Sequence, residues 1–213
     1  RNLEENQQVM TLSGARPATE TQVAGWEDTR DYAVLYPVEG GDDAADLLSL
    51  FARSNTVWPA TTAELYPLLD AAGALYIDAG AYEGPAFPHA VLPRLPITVN
   101  LNYLAKYPLL GEDHQPIAVD PAETAWVVAI PATYKSQQAE IEAYLQQLRT
   151  GGPDIVEGAF DFQTRYMPGY PPPESLRNQD VRIVWSEPGQ QVFSFDSDVN
   201  RAGGNVIVDP IVQ

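Results

Sequence analysis

Asp196, Asp198 and Asn200 stand at alternate positions, in the pattern that comes nearest to a metal site in this sequence. Oxygen-bearing side chains at this spacing open the calcium loop of helix–loop–helix proteins. Such a loop next needs glycine at its sixth position and glutamate at its twelfth. Those positions hold Arg201 and Ile207. Two interpretations are therefore possible: a weak extracellular Ca²⁺ site, or a polar turn between two strands. The incomplete motif favours the polar turn.

Histidine can serve as the base of a hydrolytic triad, and the chain has two, His89 and His114. Each lies in a proline-rich stretch, and no Gly-x-Ser-x-Gly elbow is present to supply a serine nucleophile. The chain has no cysteine, which excludes a thiol nucleophile, a disulfide and a zinc–thiolate site. We interpret both histidines as exposed loop residues.

Paired carboxylates offer a third chemistry, the acid–base hydrolysis of glycosides. Adjacent acidic residues occur at Glu27/Asp28, Asp42/Asp43 and Glu112/Asp113. No spacing distinguishes one pair among 29 acidic residues, and adjacent acids on a surface are usually solvated. Gly40-Gly41 and Gly203-Gly204 are too short to cradle a phosphate. We therefore expect no catalytic residue, no cofactor and no enzymatic activity.

The charge of the chain narrows the choice of partners. Its 213 residues carry 29 acidic and 12 basic side chains, a formal net charge of −17. This charge repels nucleic acid and anionic membranes, and it favours cationic partners. The sequence has no signal-peptide pattern and no apolar run of about 18 residues that would span a bilayer.

The clearest structural unit runs from Thr124 to Thr150. Apolar residues at 126–130 predict a buried strand, which Pro131 would end because proline has no N–H to donate. Ser136 is the candidate N-cap of a following helix, and Gly151 is its stop signal. The predicted apolar face of that helix consists of Ile141, Tyr144, Leu145 and Leu148.

A second strand–helix unit is predicted at 32–54. Further strands are predicted at 74–77, 97–101 and 205–208, and a hairpin is predicted between 181–186 and 191–195. Residues 151–179 are predicted to be irregular. Their proline-rich segment at 165–173 is either a docking surface for a partner or an insertion loop.

These elements predict an α+β fold. We expect a mixed, mainly antiparallel sheet with helices packed on one face, built around the two strand–helix units. Residues 1–30 are predicted to be an N-terminal stalk or a frayed segment, and residues 31–213 a single domain. A subdivision into two parts would fall near 78–96.

Several segments, taken in order, carry a family resemblance. They are Tyr32 to Pro37, the Asn-x-Asn-Tyr-Leu segment at 100–104, the strand and Pro-x-x-Tyr-Lys junction at 124–135, and the strands that lead to Asp-Pro-Ile-Val at 209–212. Together they resemble the extracytoplasmic part of the bacteriocin-associated integral membrane protein family. The likeness touches most of residues 26–213, and the proline-rich segment at 165–173 is not part of it.

The resemblance implies a domain on the extracytoplasmic side of the cell membrane, between transmembrane helices of its own parent chain. Such parents are similar in layout to ABC-type export permeases, with an associated ATPase. The resemblance implies no catalytic residues. We expect the domain to bind a peptide, with cationic peptides favoured, or a partner protein outside the membrane. The alternatives are a secreted carboxylate-dependent hydrolase and a structural or adhesive surface module.

Overall fold

A computed structural model describes residues 61–84, 86, 91–153, 155, 157–166, 169 and 171–213, together with residues 25, 27, 32 and 33. Within these ranges the helices are α1 (Tyr66–Ala71), α2 (Leu101–Lys106), α3 (Gln138–Thr150) and α4 (Ala159–Tyr166). The strands are β1 (Ile77–Asp78), β2 (Thr98–Val99), β3 (Trp126–Pro131), β4 (Val181–Ser186), β5 (Gln191–Phe193) and β6 (Val206–Val208). Nearly all of the predicted stalk at 1–30 and of the strand–helix unit at 32–54 lies outside the described residues.

The fold is α+β, with strands that pair in both directions. β3 and β4 form the longest pair, a parallel one that runs from Trp126 opposite Val181 to Pro131 opposite Ser186. β1 pairs with β2, and β5 pairs with β6, both antiparallel. The described sheets are therefore mixed, as the sequence predicts.

The last residues of the chain lie between β2 and β3. On one side Ala129 N donates to Val212 O at 2.7 Å, and Val212 N donates back to Ala129 O at 2.9 Å. On the other side Ile97 N donates to Ile211 O at 2.8 Å, and Gln213 N donates to Ile97 O at 2.8 Å. Residues 211–213 thus link the β1–β2 pair to the β3–β4 pair through hydrogen bonds.

The predicted apolar face of α3 packs against β3. Ile141 and Leu145 on the helix and Val128 and Ile130 on the strand are each 0% exposed and belong to one core cluster. Tyr144, Leu148 and both tryptophans of the strand pair are partly buried around it. The strand and the helical face predicted for this unit are confirmed.

The connection between β3 and α3 differs from the prediction. Ser136 is not an N-cap; it lies inside the 3₁₀ turn Ala132–Gln137, and α3 begins two residues later without a side-chain cap. β3 ends at Pro131, as predicted, and the proline is itself its last residue. Since Trp126 N donates to Asp180 O, alternate residues face β4, and the missing N–H of Pro131 faces away from it. Gly151 ends α3 with φ of 79°, as predicted.

The predicted hairpin between 181–186 and 191–195 is wrong. β4 pairs with β3 instead, and β5 pairs with β6. After β4 the chain turns at Gly189, which has φ of 86° and donates from its N–H to Asp209 Oδ1 at 2.5 Å. The Gln190 amide then donates to Leu110 O at 2.8 Å. These bonds direct the chain away from β4.

Two local assignments also change. The strand predicted at 97–101 ends at Val99, and Leu101 begins α2, because the Asn100 side chain caps the helix by accepting from Tyr103 N at 2.9 Å. Within the predicted irregular region, residues 159–166 form α4. Pro172, in the proline-rich segment, is buried.

A second core cluster joins α2 to the β5–β6 pair. The Tyr103 ring, 2% exposed, lies edge-on to Phe195 with centroids 6.4 Å apart, and Phe193 and Phe195 meet at 4.8 Å. The Tyr103 hydroxyl donates to Phe193 O at 3.2 Å. Aromatic pairs at these separations add packing energy beyond their buried area.

Tyr103→Phe is expected to reduce the loss of stability at alkaline pH. Burial raises the pKa of the Tyr103 phenol above its ordinary value, so the folded protein keeps a proton that the unfolded chain releases near pH ~10. A group whose pKa is raised by folding stabilises below its unfolded value and loses that contribution as pH rises through the folded one. Above pH ~10 the free energies of unfolding of parent and variant should converge by about 1.4 kcal/mol per pH unit.

Urea unfolding between pH 8 and pH 11, followed by circular dichroism, measures this difference. At neutral pH the variant should be about 0.5–1.5 kcal/mol less stable, since it lacks the hydroxyl bond. Parallel pH profiles for the two proteins would contradict the assignment.

Candidate functional site

The carboxyl ends of β3 and β4 lie side by side and open onto a shallow depression. Ligands of sheets with parallel strands commonly bind outside the carboxyl ends of those strands. Here the depression has a volume of about 450 Å³. Its lining consists of Glu112, His114, Ala132, Thr133, Glu187 and Pro188.

Two pairs of oppositely charged groups surround this depression. Lys135 Nζ lies 2.6 Å from Glu112 Oε2. His114 Nδ1 lies 3.1 Å from Glu187 Oε2, a contact that is ionic only when the imidazole is protonated. The side chains of Glu112 and Glu187 are 43% and 32% exposed. Water therefore reaches both carboxylates and weakens both pairs.

Residues 110–112 pair with the end of β4. Glu112 N donates to Trp185 O at 3.3 Å, and Glu187 N donates to Leu110 O at 2.8 Å. Gly111 and Ser186 lie opposite each other between these bonds. This antiparallel contact brings Glu112 beside Glu187, although 75 positions separate them in the sequence.

The turn that follows places His114. Gln115 N donates to Asp113 Oδ1 at 3.1 Å, and His114 N donates to Gly111 O at 2.9 Å. His114 has φ of 61°, a left-handed conformation that non-glycine residues adopt mainly in turns. Its side chain is 73% exposed, in agreement with its interpretation as an exposed loop residue.

The carboxylates of this depression have the chemistry to bind a cation. Glu112 and Glu187 are both accessible to water, and each lies beside a basic group. Exposed carboxylates can accept charge-assisted hydrogen bonds from an ammonium or a guanidinium group.

The residues of the candidate calcium site lie in the loop that joins β5 to β6. Asp198 N donates to Asp196 Oδ1 at 2.8 Å, and the Asp198 carboxylate pairs with Arg201. The Asn200 amide donates to Val206 O at 2.7 Å, and Asn200 has φ of 45°. Their side chains therefore serve the turn geometry of this loop. Among the residues with described positions, no group of three or more His, Cys, Asp or Glu side chains is arranged to hold a metal ion.

A second depression, of about 470 Å³, lies along α4 and the segment before it. Glu157, Asp161, Thr164 and Arg165 line it. Arg165 Nη1 lies 3.0 Å from Glu157 Oε1, so two of its charged side chains form an ion pair. We regard it as part of the helix surface.

Arg149 is a partly buried cation near the end of α3. Its guanidinium lies 4.2 Å over the Trp126 ring, and its Nη2 donates to Gln179 Oε1 at 2.8 Å. Burial lowers the pKa of the Arg149 guanidinium. These contacts fix the end of α3 on the start of β3, which is a structural role.

Sequence reasoning identified the site only in part. In the sequence, Glu112/Asp113 is one of three adjacent acidic pairs and His114 is a predicted loop residue, and neither Lys135 nor Glu187 stands out as a site residue. Their meeting depends on the pairing of residues 110–112 with the end of β4 and on the pairing of β4 with β3, which no local pattern reveals. Of the other predicted residues, Asp28, Asp42, Asp43, His89 and Gly40-Gly41 lie outside the described residues; Glu27 is helical and exposed, and Gly203-Gly204 lie in the β5–β6 loop.

The fold and the site define an α+β protein with an acidic, water-exposed depression at the carboxyl ends of two parallel strands. No protein-family model, curated protein or solved structure matches the chain. Within the part of the chain that the structure describes, no helix is both long and apolar enough to cross a membrane.

Proposed function

We propose that this chain is a non-enzymatic binding domain on the extracytoplasmic side of a bacterial cell membrane. It binds a cationic peptide or a basic partner protein there, and its acidic depression contributes to that binding. The observation that supports this most is the net charge of −17, together with two carboxylates that line one depression, the exposed Glu112 and the partly exposed Glu187.

Electrostatic attraction favours a basic partner both at long range and in direct contact. Far from the surface, a strongly acidic protein attracts basic molecules and raises their rate of encounter. In contact, a basic side chain of the partner displaces Lys135 or His114 from its carboxylate. That displacement costs little, because exposed ion pairs contribute only about 0–1 kcal/mol.

The resemblance to the bacteriocin-associated integral membrane protein family supports the cellular setting. The domain would belong to a permease-like membrane protein of the ABC export type, with an ATPase as a further partner of the parent. Binding outside the membrane would then shift the conformational equilibrium of the attached helices. Apolar segments of about 20 residues on both sides of this chain in the full gene would agree with this setting.

The proposal keeps the finer expectation for the fold. The sheet is mixed and mainly antiparallel, with helices packed on one face. The same layout leaves the carboxyl ends of β3 and β4 open to a partner.

A basic peptide is expected to bind this protein in a salt-dependent way. Fluorescence anisotropy with a labelled lysine- and arginine-rich peptide should give an affinity that weakens at least tenfold between about 20 mM and about 200 mM salt, because salt screens exposed charges. The matched control is a glutamate-rich peptide of the same length, which should not bind. Equal binding of the two peptides, or no binding of the basic one, would contradict the proposal.

One observation keeps a hydrolase as a second candidate, since Glu112 and Glu187 line the same depression. Paired carboxylates can hydrolyse glycosides. Turnover of a glycoside panel that Glu112→Gln and Glu187→Gln each abolish would favour this candidate. A structural or adhesive module would show neither turnover nor peptide binding.

A further inference from the structure

We propose that the outer edge of β4, at Val181 and Ile183, receives an extended cationic peptide as an added strand. This inference rests on the proposed function and deepens it, because it names the surface and the way in which the partner binds. Strand addition uses the unpaired backbone groups of a sheet edge for affinity and the flanking side chains for selectivity.

The alternating direction of the backbone hydrogen bonds along β4 defines its free edge. Trp126 N donates to Asp180 O at 2.7 Å within the parallel β3–β4 pair. In a parallel pair alternate residues bond to the same neighbour, so Asp180, Arg182 and the even positions that follow face β3. The backbone groups of Val181 and Ile183 therefore face the opposite side, as Trp185 O does when it accepts from Glu112 N.

Among the residues that the structure describes, only the end of this edge pairs with another segment. The stretch at 110–112 pairs with β4 from Trp185 onward, through Glu112 N to Trp185 O and Glu187 N to Leu110 O. Beyond Glu112 the chain folds back on itself, since Gly111 N donates to Gln115 O at 2.8 Å. Within the described ranges, the outward backbone groups of Val181 and Ile183 have no hydrogen-bond partner.

The open part of the edge has room for a short strand. From Val181 to Val184 it spans about 10 Å, at about 3.3 Å per residue. β4 has no proline or bulge that would blunt this edge, and such features are the usual protection of edge strands. Its one charged residue, Arg182, pairs at 3.0 Å with Glu123, which leaves little positive charge beside the edge to repel a basic peptide.

The charges around the edge favour a cationic occupant. Exposed carboxylates lie at both ends: Asp180 before β4, and Glu112 and Asp113 after the covered end. A peptide strand that continues the line of residues 110–112 would bring its nearest side chains beside those two carboxylates. A second copy of this chain is disfavoured as the occupant, because each copy carries a net charge of −17.

The test compares two peptides of identical charge. One is a peptide of alternating lysine and valine; the other has the same sequence with alternate backbone nitrogens methylated, so that one edge cannot donate. Binding to the whole chain is measured by calorimetry at low salt. We expect the methylated peptide to bind at least tenfold more weakly.

A protein variant checks the same edge from the other side. Val181→Pro removes an outward N–H at the first residue of β4, where proline is tolerated, and it should weaken the unmethylated peptide about fivefold or more. Circular dichroism confirms that the variant is folded. The methylated peptide keeps the test decisive if the variant does not fold.

The outcomes separate this inference from the proposed function. Equal affinity for both peptides overturns strand addition and leaves charge-driven binding standing. Absence of binding by either peptide overturns both. Self-association that competes with the peptide, detected by sedimentation, overturns the assignment of a cationic peptide to this edge.

Discussion

Deletion of residues 211–213 is expected to unfold the protein. The segment lies between β2 and β3, where Ile97, Val99 and Ala129 all bond to its backbone. Its side chains also join the two cores: Ile211, 2% exposed, belongs to the cluster around α3, and Val212, 3% exposed, to the cluster around Tyr103. The combined loss is on the order of 10 kcal/mol, similar to the whole stability of an ordinary domain, about 5–15 kcal/mol.

Near- and far-ultraviolet circular dichroism of the truncated chain measures this effect. Gln213→Ala is the matched control, because it keeps the backbone and removes only the side-chain bond from Gln213 Nε2 to Thr98 Oγ1, 2.7 Å long. That control should cost about 1 kcal/mol. A truncated protein that melts cooperatively at the temperature of the parent would contradict the stabilising role assigned to residues 211–213.

Asn100→Ala is expected to destabilise the protein by about 2–4 kcal/mol. The Asn100 carbonyl oxygen accepts from Tyr103 N at 2.9 Å, which caps α2, and from Tyr76 N at 3.0 Å. Its amide group donates to Asp70 Oδ1 and to Ala74 O, both at 2.7 Å. One partly buried side chain thus joins α1, the start of β1 and α2, and alanine would leave all four partners without this bond.

Asn102→Ala is the matched control for this prediction. Its amide donates to Asp70 O at 2.8 Å and to Ala74 O at 3.1 Å, but it caps no helix. Its loss should cost about 1 kcal/mol. Urea unfolding of both variants measures the difference, and equal costs would show that the cap and the bond to Tyr76 contribute little.

The Asn-x-Asn-Tyr-Leu segment therefore has a structural explanation in this chain. Asn100 and Asn102 both bond to the turn after α1, and Tyr103 fills the core beside Phe195. These roles need no ligand.

Local signals predicted the elements whose pattern is complete within one segment. The apolar run at 126–130 and the helical face of α3 are such cases, because the spacing of apolar residues within each segment indicates which of them are buried. The helix stop at Gly151 is another, since a positive φ favours glycine. In each case the residues that decide the structure are neighbours in the chain.

The pairing of segments that are distant in the chain could not be predicted from the sequence. Residues 181–186 and 191–195 fit a hairpin by pattern, yet 181–186 are bound by β3, which lies far earlier in the chain. The segment at 211–213 is too short to show alternation, and its strand-like role depends on two separate neighbours. The same limit applies to the candidate site, where Glu187 meets His114 because residues 110–112 pair with the end of β4.

The measurement that tests the account most directly is a nuclear magnetic resonance titration of the isotope-labelled protein with a basic peptide at low salt. We expect amide shifts centred on residues 110–114 and 181–187, and protection of the Val181 and Ile183 amides from solvent exchange in the complex. Absence of shifts at millimolar peptide would contradict the proposal that this acidic chain is a binding domain for cationic partners. Shifts confined to other surfaces would contradict the position assigned to the site.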